Sequence, residues 1–456
     1  MQVDVDKIRR EFGKYNLRYW DFRIEESETK NISAWNNEIK RNSFSSSVGF
    51  CSRVLFENGW GFACSSDFNQ ISKIIEKSVK LAKLSNKNEK IEFNIPERKN
   101  DSKETKQKLN FKDVDDEQKI KLSKELAESA LKFDKKIKSA RIWYIENILK
   151  KKFLSSDCFI EQKLARGKIF AQINSKSNES EEEKRGIIGH SGGYEFTENA
   201  KENILDACKR AVEFLKAKKG KGGESSVIID GQLSGLLVHE ALGHASEADL
   251  VLQNSSCLNG KIGERLSENC VNVCDDATEN DFTGWGCYYY DDEGIRAKKN
   301  YIIKNGILNS YLHNIESSSQ LKMNLTGNSR AESAFRKPII RMTNTYIEKG
   351  DKKFDDMIKE IKKGYLMAKS SGGQVDTVTG NFQFSANDVY EIKNGDIGQP
   401  LKSMSFGGNL LEILKNILMV ENKYDCDFPG TCIKGGQHVP VGGFCPRVYL
   451  KKAVVN

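Results

Sequence analysis

The amino-acid sequence predicts an α+β protein with two domains, which we place at residues 1–220 and 221–456. Apolar and polar residues alternate over long stretches of both halves, a pattern typical of strands in antiparallel sheets. Helical periodicity interrupts these stretches, and glycines concentrate in the second half. The segment KAKKGKGGESS, at 216–226, separates the two halves and has the composition of a hinge.

The first domain is expected to combine antiparallel sheets with helices. Residues 1–20 carry apolar side chains at helical spacing, and 19–65 alternate like several strands, with a tight turn at Glu57, Asn58 and Gly59. Further elements are predicted from the same two patterns: helices at 68–84, 116–133 and 197–218, and strands within 138–175.

The polar stretches of the first half are expected to be connections rather than elements. They are 85–120, 175–185 and the GHSGGY run at 189–194. Gly49, Gly59 and Gly61 are expected to serve turns, where a residue without Cβ is favoured.

The second domain is expected to be glycine-rich and mostly β, with a few helices. A short buried strand at 227–229 leads directly into the stretch 236–250, which is expected to be helical. Short strands with turns are predicted from 271 onward, and they include GWGCYYYDDEGI at 284–295 and a hairpin at Asn305 and Gly306. Helices are predicted at 352–363 and near 410–419.

Composition excludes several classes of protein. The 456 residues carry a net charge of +8 from 72 basic and 64 acidic residues, and lysines are interspersed with glutamates, which opposes a nucleic-acid-binding face. No apolar run is long enough to cross a bilayer and the N-terminus lacks a signal pattern, so a cytoplasmic protein without a membrane partner is expected. Eleven cysteines, an odd number without a Cys-x-x-Cys pair, do not indicate a disulfide framework.

The stretch LLVHEALGHASEADL, at 236–250, is the strongest candidate for a catalytic site. His239, Glu240 and His244 form an H-E-x-x-x-H pattern, one residue longer than the familiar zinc-binding H-E-x-x-H helix. On a regular helix the two histidines would point about 140° apart. We therefore predict a helix distorted at its metal site, by a π-type turn or by an end near Gly243. The alternative is a core helix with two hydrogen-bonded histidines.

A third metal ligand is needed, because a catalytic zinc has three protein ligands and one open position. Glu247 and Asp249 lie close in sequence, although they could instead orient a ligating histidine. The remote candidates are His313, His438, Cys432 and Cys445. The residues alone do not choose among them.

The run HEALGHASEAD resembles the signature of the TldD/PmbA peptidase family, in its metal-bearing TldD-type form. Other segments of the second half resemble that family in the same order: YDDEG at 290–294, TGNSRAES at 326–333, RMTNTYIEKG at 341–350, GGQVDTVTGNFQF at 372–384 and GTCIKGGQHVPVG at 430–442. The first half is similar more loosely, through SVGFCSRVLFENGWGFACSS and the helix after it. The ordered set makes the resemblance specific.

The resemblance implies a site of two histidines and one cysteine. The family's cysteine belongs to a G-x-C-G-K-x-G-Q type segment that maps onto Cys432 and leaves Cys445 outside, with Ile433 in the place of the usual glycine. One Zn²⁺ per chain is expected, although affinity alone does not select zinc over other divalent metals. Glu240 is then expected to be the general base, which takes a proton from water and delivers it to the leaving amine.

Two further residues are predicted on the substrate side. Arg330 could bind a peptide carbonyl or a terminal carboxylate, and its alternative is a surface ion pair. Asp291 is the second candidate. Asp291 and its neighbour Asp292 could instead anchor a histidine tautomer or be turn acids.

The resemblance thus implies a zinc-dependent peptidase that hydrolyses unfolded or small peptides. Subunits of this type pair with a metal-free homologue of the PmbA/TldE kind, or the chain forms a homodimer, and the assembly encloses the active site. The alternatives are a non-catalytic subunit of such a complex and a regulatory protein of the gyrase-modulator kind. The intact histidine, glutamate and cysteine set opposes the first alternative, and the lack of a basic patch opposes direct DNA binding.

Overall fold

The computed structural model describes residues 4–456 and contains two seven-stranded sheets, one from each half of the chain. Most strand pairs are antiparallel and helices pack on the sheets, so the predicted α+β class is confirmed. The α-helices are α1 (Val5–Phe12), α2 (Ile71–Leu84), α3 (Asp116–Phe133), α4 (Ala200–Glu213), α5 (Gly231–Leu236), α6 (Ala248–Leu252), α7 (Glu279–Phe282), α8 (Ile315–Leu321), α9 (Phe354–Lys359) and α10 (Leu410–Lys415).

The strands divide between the two halves on either side of residue 220. Those of the first half are β1 (Tyr19–Trp35), β2 (Glu38–Phe56), β3 (Gly59–Ser65), β4 (Asp101–Glu104), β5 (Ile137–Ser155), β6 (Phe159–Lys176) and β7 (Glu181–Ser191). Those of the second half are β8 (Gly223–Ile229), β9 (Val273–Asp276), β10 (Lys299–Lys304), β11 (Ile307–Leu308), β12 (Ser329–Arg330), β13 (Ile339–Ile340), β14 (Thr345–Ile347), β15 (Lys363–Val375), β16 (Asn381–Lys393), β17 (Asp396–Leu401), β18 (Met404–Asn409), β19 (Ile417–Val420), β20 (Cys426–Asp427), β21 (Gly430–Lys434), β22 (Gln437–Val441), β23 (Phe444–Cys445) and β24 (Val448–Val455). The division into domains at 1–220 and 221–456 stays a prediction.

The first sheet has the order β3-β2-β1-β5-β6-β4, with β7 also paired to β6. Its long strands alternate in burial because one face meets the helices: α1 and α2 share an apolar core with β1–β3, and α3 and α4 share another with β5 and β6. Helix α3 begins where predicted, since the Asp115 carboxylate accepts a hydrogen bond from the backbone N–H of Gln118.

The predictions for the polar stretches of the first half were partly wrong. Within 85–120, β4 pairs in parallel with β6, and Phe93 and Phe111 are buried. Residues 181–191, expected to be loop and turn, form β7. This strand is polar because half of it faces solvent, and because its buried Lys184 lies 2.9 Å from an oxygen of Asp388 in the second half.

Two of the glycines assigned to turns lie inside strands instead. A Cβ at Gly61 of β3 would lie 1.8 Å from the carbonyl oxygen of Ser78 in α2, and one at Gly49 of β2 would lie 2.3 Å from the Phe335 ring. These glycines therefore allow close packing of a helix and of a ring against the sheet. The turn itself is made by Glu57, which has a left-handed φ of 48°.

The second sheet closes on itself. The pairings run β15-β8-β24-β18-β16, and β16 pairs back to β15, while β17 and β19 lie alongside. The segment after β8 packs its apolar residues into the same core as Phe384 and Phe406 of this ring. The stretch 236–250 is thereby held against a rigid sheet.

The aromatic segment GWGCYYYDDEGI was predicted to form strands and does not. The Tyr288 hydroxyl donates to the Gly327 carbonyl, and Tyr289 donates to that of Glu104. Arg53 of β2 lies 2.8 Å from Glu293. The segment therefore contacts both halves. Trp285 and Tyr288 are buried although they belong to no strand, and Tyr289 and Tyr290 are half-buried. Within residues 4–456, no helix is both long and apolar enough to cross a membrane.

Candidate metal centre

The segment with the two histidines changes helix type in its middle. Asp230 caps α5 by accepting from the Leu233 N–H, and the helix continues as a π-helix over Leu237–Gly243 and a short 3₁₀ turn over His244–Ser246. The His244 N–H donates to the His239 carbonyl, five residues earlier. This bond places both imidazoles on one face of the helix, with ring centres 5.4 Å apart, and the predicted distortion is confirmed.

The third predicted ligand comes from the hairpin of β21 and β22. The Cys432 Sγ lies 3.4 Å from His244 Nε2, and one ligand atom each of Cys432, His239 and His244 lie within 4.8 Å of one another. Arg341, fully buried, holds the hairpin by donating to the carbonyls of Cys432, at 2.7 Å, and Gln437, at 3.1 Å. The structure thus brings the three candidate ligands together.

The charges of this cluster favour a thiolate beside an imidazolium. Burial raises the pKa of the Cys432 thiol, but the His239 and His244 rings more than offset it and lower that pKa to about 4. Burial lowers the pKa of His244, while the charge of Glu247 and the contact with Cys432 raise it to about 10. A thiolate is the form of cysteine that binds metals.

The donor set fits a divalent metal. Neither ring nitrogen of His239 has a hydrogen-bond partner within residues 4–456, although both are buried, and buried polar atoms are rarely left in that state. Two imidazoles and a thiolate at this spacing suit zinc, with a fourth position left for water or substrate.

Glu240 lies at the accessible side of the cluster. One of its oxygens is 3.8 Å from His244 Nε2, and its side chain is 31% exposed, whereas His239 and Cys432 are buried. A carboxylate in this position can reach a water molecule that approaches the three ligands.

Glu247 orients His244 from the opposite side. Its fully buried carboxylate accepts a hydrogen bond from His244 Nδ1 at 3.0 Å, which leaves Nε2 directed at Cys432. Lys434 Nζ lies 3.1 Å from Glu247 and 2.7 Å from Asp249. Glu247 therefore contacts a candidate ligand without belonging to the cluster itself, and Asp249 shares the Lys434 ammonium with it. Partners of this kind fix the ring of a ligating histidine.

Sequence reasoning missed Lys434 and Arg341. Lys434 follows Cys432 by two residues, so a strand over this segment would place both side chains on one face. The sequence holds no comparable signal for Arg341, because its partners are backbone carbonyls of a distant hairpin.

The other remote ligand candidates lie outside the cluster. His313 is buried beside Ser317, with its Nδ1 3.2 Å from the hydroxyl oxygen, and burial lowers its pKa to about 4. His438 lies on the exposed side of the hairpin, 3.4 Å from Glu332. Cys445 lies in β23.

Arg330 and Asp291 are not part of the cluster, and both line a cavity between the two halves. Arg330 is buried and donates to the carbonyls of Met342 and Pro440, so its interpretation as a surface ion pair was wrong. Asp291 accepts from three backbone N–H groups, those of Glu293, Ile295 and Ser329. Their substrate role stays a prediction.

Asp292 also has structural partners. It lies 2.9 Å from Lys151 and 3.2 Å from Arg23, both in the first sheet. Among the described side chains, no hydrogen bond or ion pair joins Asp291 or Asp292 to a histidine; the bonds found include those of Asp291 to backbone N–H groups and of Asp292 to Lys151 and Arg23.

Family models match nearly the whole chain. They describe PmbA/TldA metallopeptidase domain 1 at residues 20–82, the central domain at 109–219 and the C-terminal domain at 222–456. A metalloprotease of Methanocaldococcus jannaschii is 40% identical over 454 residues, which is 98% of each chain. A zinc metalloprotease TldD homolog of Saccharolobus solfataricus is 29% identical over 417 residues, which is 90% of each chain.

A solved structure has the same fold. TldE from Thermococcus kodakarensis superposes with a TM-score of 0.77 and 18% identity, over 99% of this chain and 98% of that one. At this identity the likeness shows the fold alone.

Proposed function

The chain belongs to the PmbA/TldD metallopeptidase family, and from that premise we propose that it is a zinc-dependent peptidase acting on unfolded or small peptides. The observation that carries the proposal is the convergence of His239, His244 and Cys432, with ligand atoms within 4.8 Å of one another and Glu240 beside them. A zinc metalloprotease among the relatives supports zinc as the metal.

His239, His244 and Cys432 would hold the metal in this proposal. Zinc bound there would polarise the peptide carbonyl and lower the pKa of a water molecule toward about 7. Glu240 would accept the proton of that water and return it to the leaving amine. Glu247 holds the His244 ring with Nε2 facing the site, and Lys434 balances the negative charge of Glu247.

We also propose that the chain works in an enclosed dimer, either with a metal-free subunit of the PmbA/TldE kind or with a second copy. The membership of the chain in a family that is named after both PmbA and TldD supports a homologous partner. His239 and Cys432 are only 3% and 4% exposed, so an extended peptide reaches them more easily than a folded surface does.

The first test combines metal analysis with cleavage. About one zinc per chain is expected, and an unstructured peptide should be cut while a folded protein of similar composition resists. Chelation should abolish cleavage and zinc should restore it. The assay is run on the chain alone and with its homologous partner. Full zinc content without cleavage in either form would favour the regulatory alternative, and equal cutting of folded and unfolded substrates would exclude the chamber.

A further inference from the structure

A polar cavity of about 160 Å³ lies between the two halves of the molecule. One wall is formed by residues of β1, β5 and β6, including Asn147 and Arg166, and the other by segments around Asp291, Arg330 and Val439. A cavity of this size can hold one small side chain or end group, because an engineered cavity of about 150 Å³ accommodates benzene.

Two buried guanidinium groups line this cavity without a carboxylate partner. Arg166 and Arg330 are 4% and 5% exposed. Among the described side chains, which do not include those of Cys426 and Asp427, neither guanidinium has a carboxylate within ion-pair distance, and that of Arg330 lies 5.1 Å from the centre of the Tyr288 ring. Arg166 donates Nε to the Trp285 carbonyl at 2.9 Å and Nη2 to that of Cys287, while its Nη1 makes no hydrogen bond to a described residue. Buried charges are normally paired, so Arg166 is the group that an anion entering the cavity would contact.

The acids of the cavity do not supply that partner. Each already has its own contacts: Asp292 with Lys151 and Arg23, Glu25 with Lys151, Asp291 with three backbone N–H groups, and Glu332 with His438. The two arginines are the cations of the lining without an ion pair to a described side chain, and Asp275 and Asp292 act on Arg330 only from a longer distance. The burial of these charges has a cost. That cost is visible in Arg166, whose pKa is lowered to about 10 by burial and by the neighbouring charge of Arg330.

The cavity adjoins the proposed catalytic site through the β21–β22 hairpin. Val439, in the cavity wall, is the cross-strand partner of Cys432, and Arg330 donates to the carbonyl of the next residue, Pro440, at 2.8 Å. Directly opposed residues in such a ribbon have Cα atoms about 5 Å apart. The hairpin thus contributes Cys432 to the metal cluster and Val439 and Pro440 to the cavity wall.

We propose that this cavity, the Arg166 pocket, binds a carboxylate of the substrate peptide. Guanidinium groups bind carboxylates through short, charge-assisted hydrogen bonds, and the free Nη1 of Arg166 offers such a donor. The carboxylate comes from the C-terminus of the peptide or from an aspartate or glutamate side chain. The proposal rests on the peptidase function and names its substrate class: peptides with an anionic group close to the scissile bond.

The test measures binding on zinc-loaded protein in which Glu240→Gln prevents turnover. Calorimetric titrations use N-acetylated alanine–glycine hexapeptides: one with a free C-terminus, one amidated, and an amidated set with one glutamate at successive positions. We expect the free acid, or one member of the glutamate set, to bind at least about tenfold more tightly than the plain amide. The first result identifies a C-terminal carboxylate and the second a side-chain carboxylate.

Substitutions of Arg166 test whether the tighter binding of carboxylate-bearing peptides depends on the Arg166 pocket. In Arg166→Gln the gain of the free acid over the amide, both measured on the same variant, should fall below about threefold because the charge-assisted contact is lost. The ratio is the readout because the variant also loses the hydrogen bonds to the Trp285 and Cys287 carbonyls. Lys176→Gln is the matched control, since it removes the same charge from an exposed position of β6. Arg166→Lys keeps the positive charge but replaces the planar guanidinium by a single ammonium group, so it should retain part of the gain in affinity for the carboxylate.

The outcomes separate the two proposals. Binding of all peptides within about threefold, or a gain that survives in Arg166→Gln, would overturn the pocket alone. Failure of every peptide to bind would overturn the peptidase proposal with it. If Arg166→Gln unfolds, the comparison of free acid and amide on the unaltered pocket still decides.

Discussion

Lys434 Nζ lies 3.1 Å from the same Glu247 oxygen that accepts a hydrogen bond from His244 Nδ1 at 3.0 Å. The lysine and Cys432 are both on β21, whereas Glu247 follows the distorted helix. One buried ion pair thus joins the strand that carries the thiolate to the segment that carries the imidazoles. This contact, together with that between Cys432 and His244, holds the two ligand-bearing segments against each other.

Lys434→Met should weaken zinc binding by about 10- to 100-fold, because outer partners of ligating histidines have effects of that size. Competition with a chromophoric chelator measures the affinity. Lys434→Arg should recover part of it, and Lys423→Met, at a position 69% exposed, should leave it unchanged. Unaltered affinity in Lys434→Met would show that the hairpin is positioned by Arg341 alone.

Cys432→Ser should remove the thiolate and most of the bound zinc, since thiolate is the strongest ligand of the set. Elemental analysis gives the metal content. Cobalt substitution gives a second measure, because the sulfur-to-cobalt absorption band of the unaltered protein should disappear. Cys270→Ser, at an exposed thiol, is the matched control and should keep both. Retention of the band in Cys432→Ser would exclude this cysteine as a ligand.

Glu240→Gln should keep the zinc and lose peptide cleavage by about 10²- to 10⁴-fold, the usual contribution of a general base. The measurement is the initial rate of cleavage of an unstructured peptide, with metal content determined on the same sample. Glu264→Gln, an acid on the surface paired with Lys261, provides the control. A rate within a factor of about three of the unaltered protein would assign the proton transfer to another group.

The metal-free protein should be most stable between about pH 6.5 and 9. The folded pKa of Cys432, about 4, lies below the 9.0 of a free thiol, so its contribution is full above pH 9 and is lost as pH falls through 4. The folded pKa of His244, about 10, lies above 6.5, so its contribution is full below pH 6.5 and is lost as pH rises through 10. Urea unfolding across this range measures the profile. In Cys432→Ser the acid-side decline should flatten, and an unchanged profile there would contradict the assignment.

Gly61→Ala should destabilise the protein by about 1–3 kcal/mol, the range for overpacking, because the added Cβ would lie 1.8 Å from the Ser78 carbonyl oxygen. Gly408→Ala is the matched control in another strand, where nothing lies within 4 Å of the added atom. Thermal or denaturant unfolding compares the two. Equal stability of both variants would mean that α2 shifts away from β3 at little cost.

Local patterns were sufficient for much of the fold. The helix at 116–133 and the hairpins at Glu57 and at Asn305 were predicted from periodicity and turn residues, which act over a few residues. Strands β4 and β7 were missed because their stability comes from pairing with β6 rather than from their own composition. The aromatic segment at 284–295 was wrongly predicted to form strands. Its composition is typical of a strand, but its side chains contact the first half of the chain instead of belonging to a sheet.

The residues of the candidate site likewise differ in how far they could be predicted from the sequence. His239, Glu240 and His244 form a pattern that is visible in the sequence. Their spacing predicts a distorted helix, by a π-type turn or by an end near Gly243, and the structure contains the π-helix. Cys432 needed the family resemblance, because its contact with His244 spans 188 residues. Nothing in the sequence points to Arg166. It stands out only in the structure, as a buried guanidinium that has no carboxylate beside it among the described side chains.

That separation of 188 residues between thiolate and imidazole also has a consequence in time. At about 5–20 residues per second, a ribosome makes the cysteine roughly 10–40 s after the second histidine. Until then the growing polypeptide contains His239, Glu240 and His244 but lacks Cys432, the third candidate metal ligand. In the proposed site the cysteine is therefore the last of the three ligands to be synthesised, and binding of a metal by all three can begin only after the β21–β22 hairpin has been made.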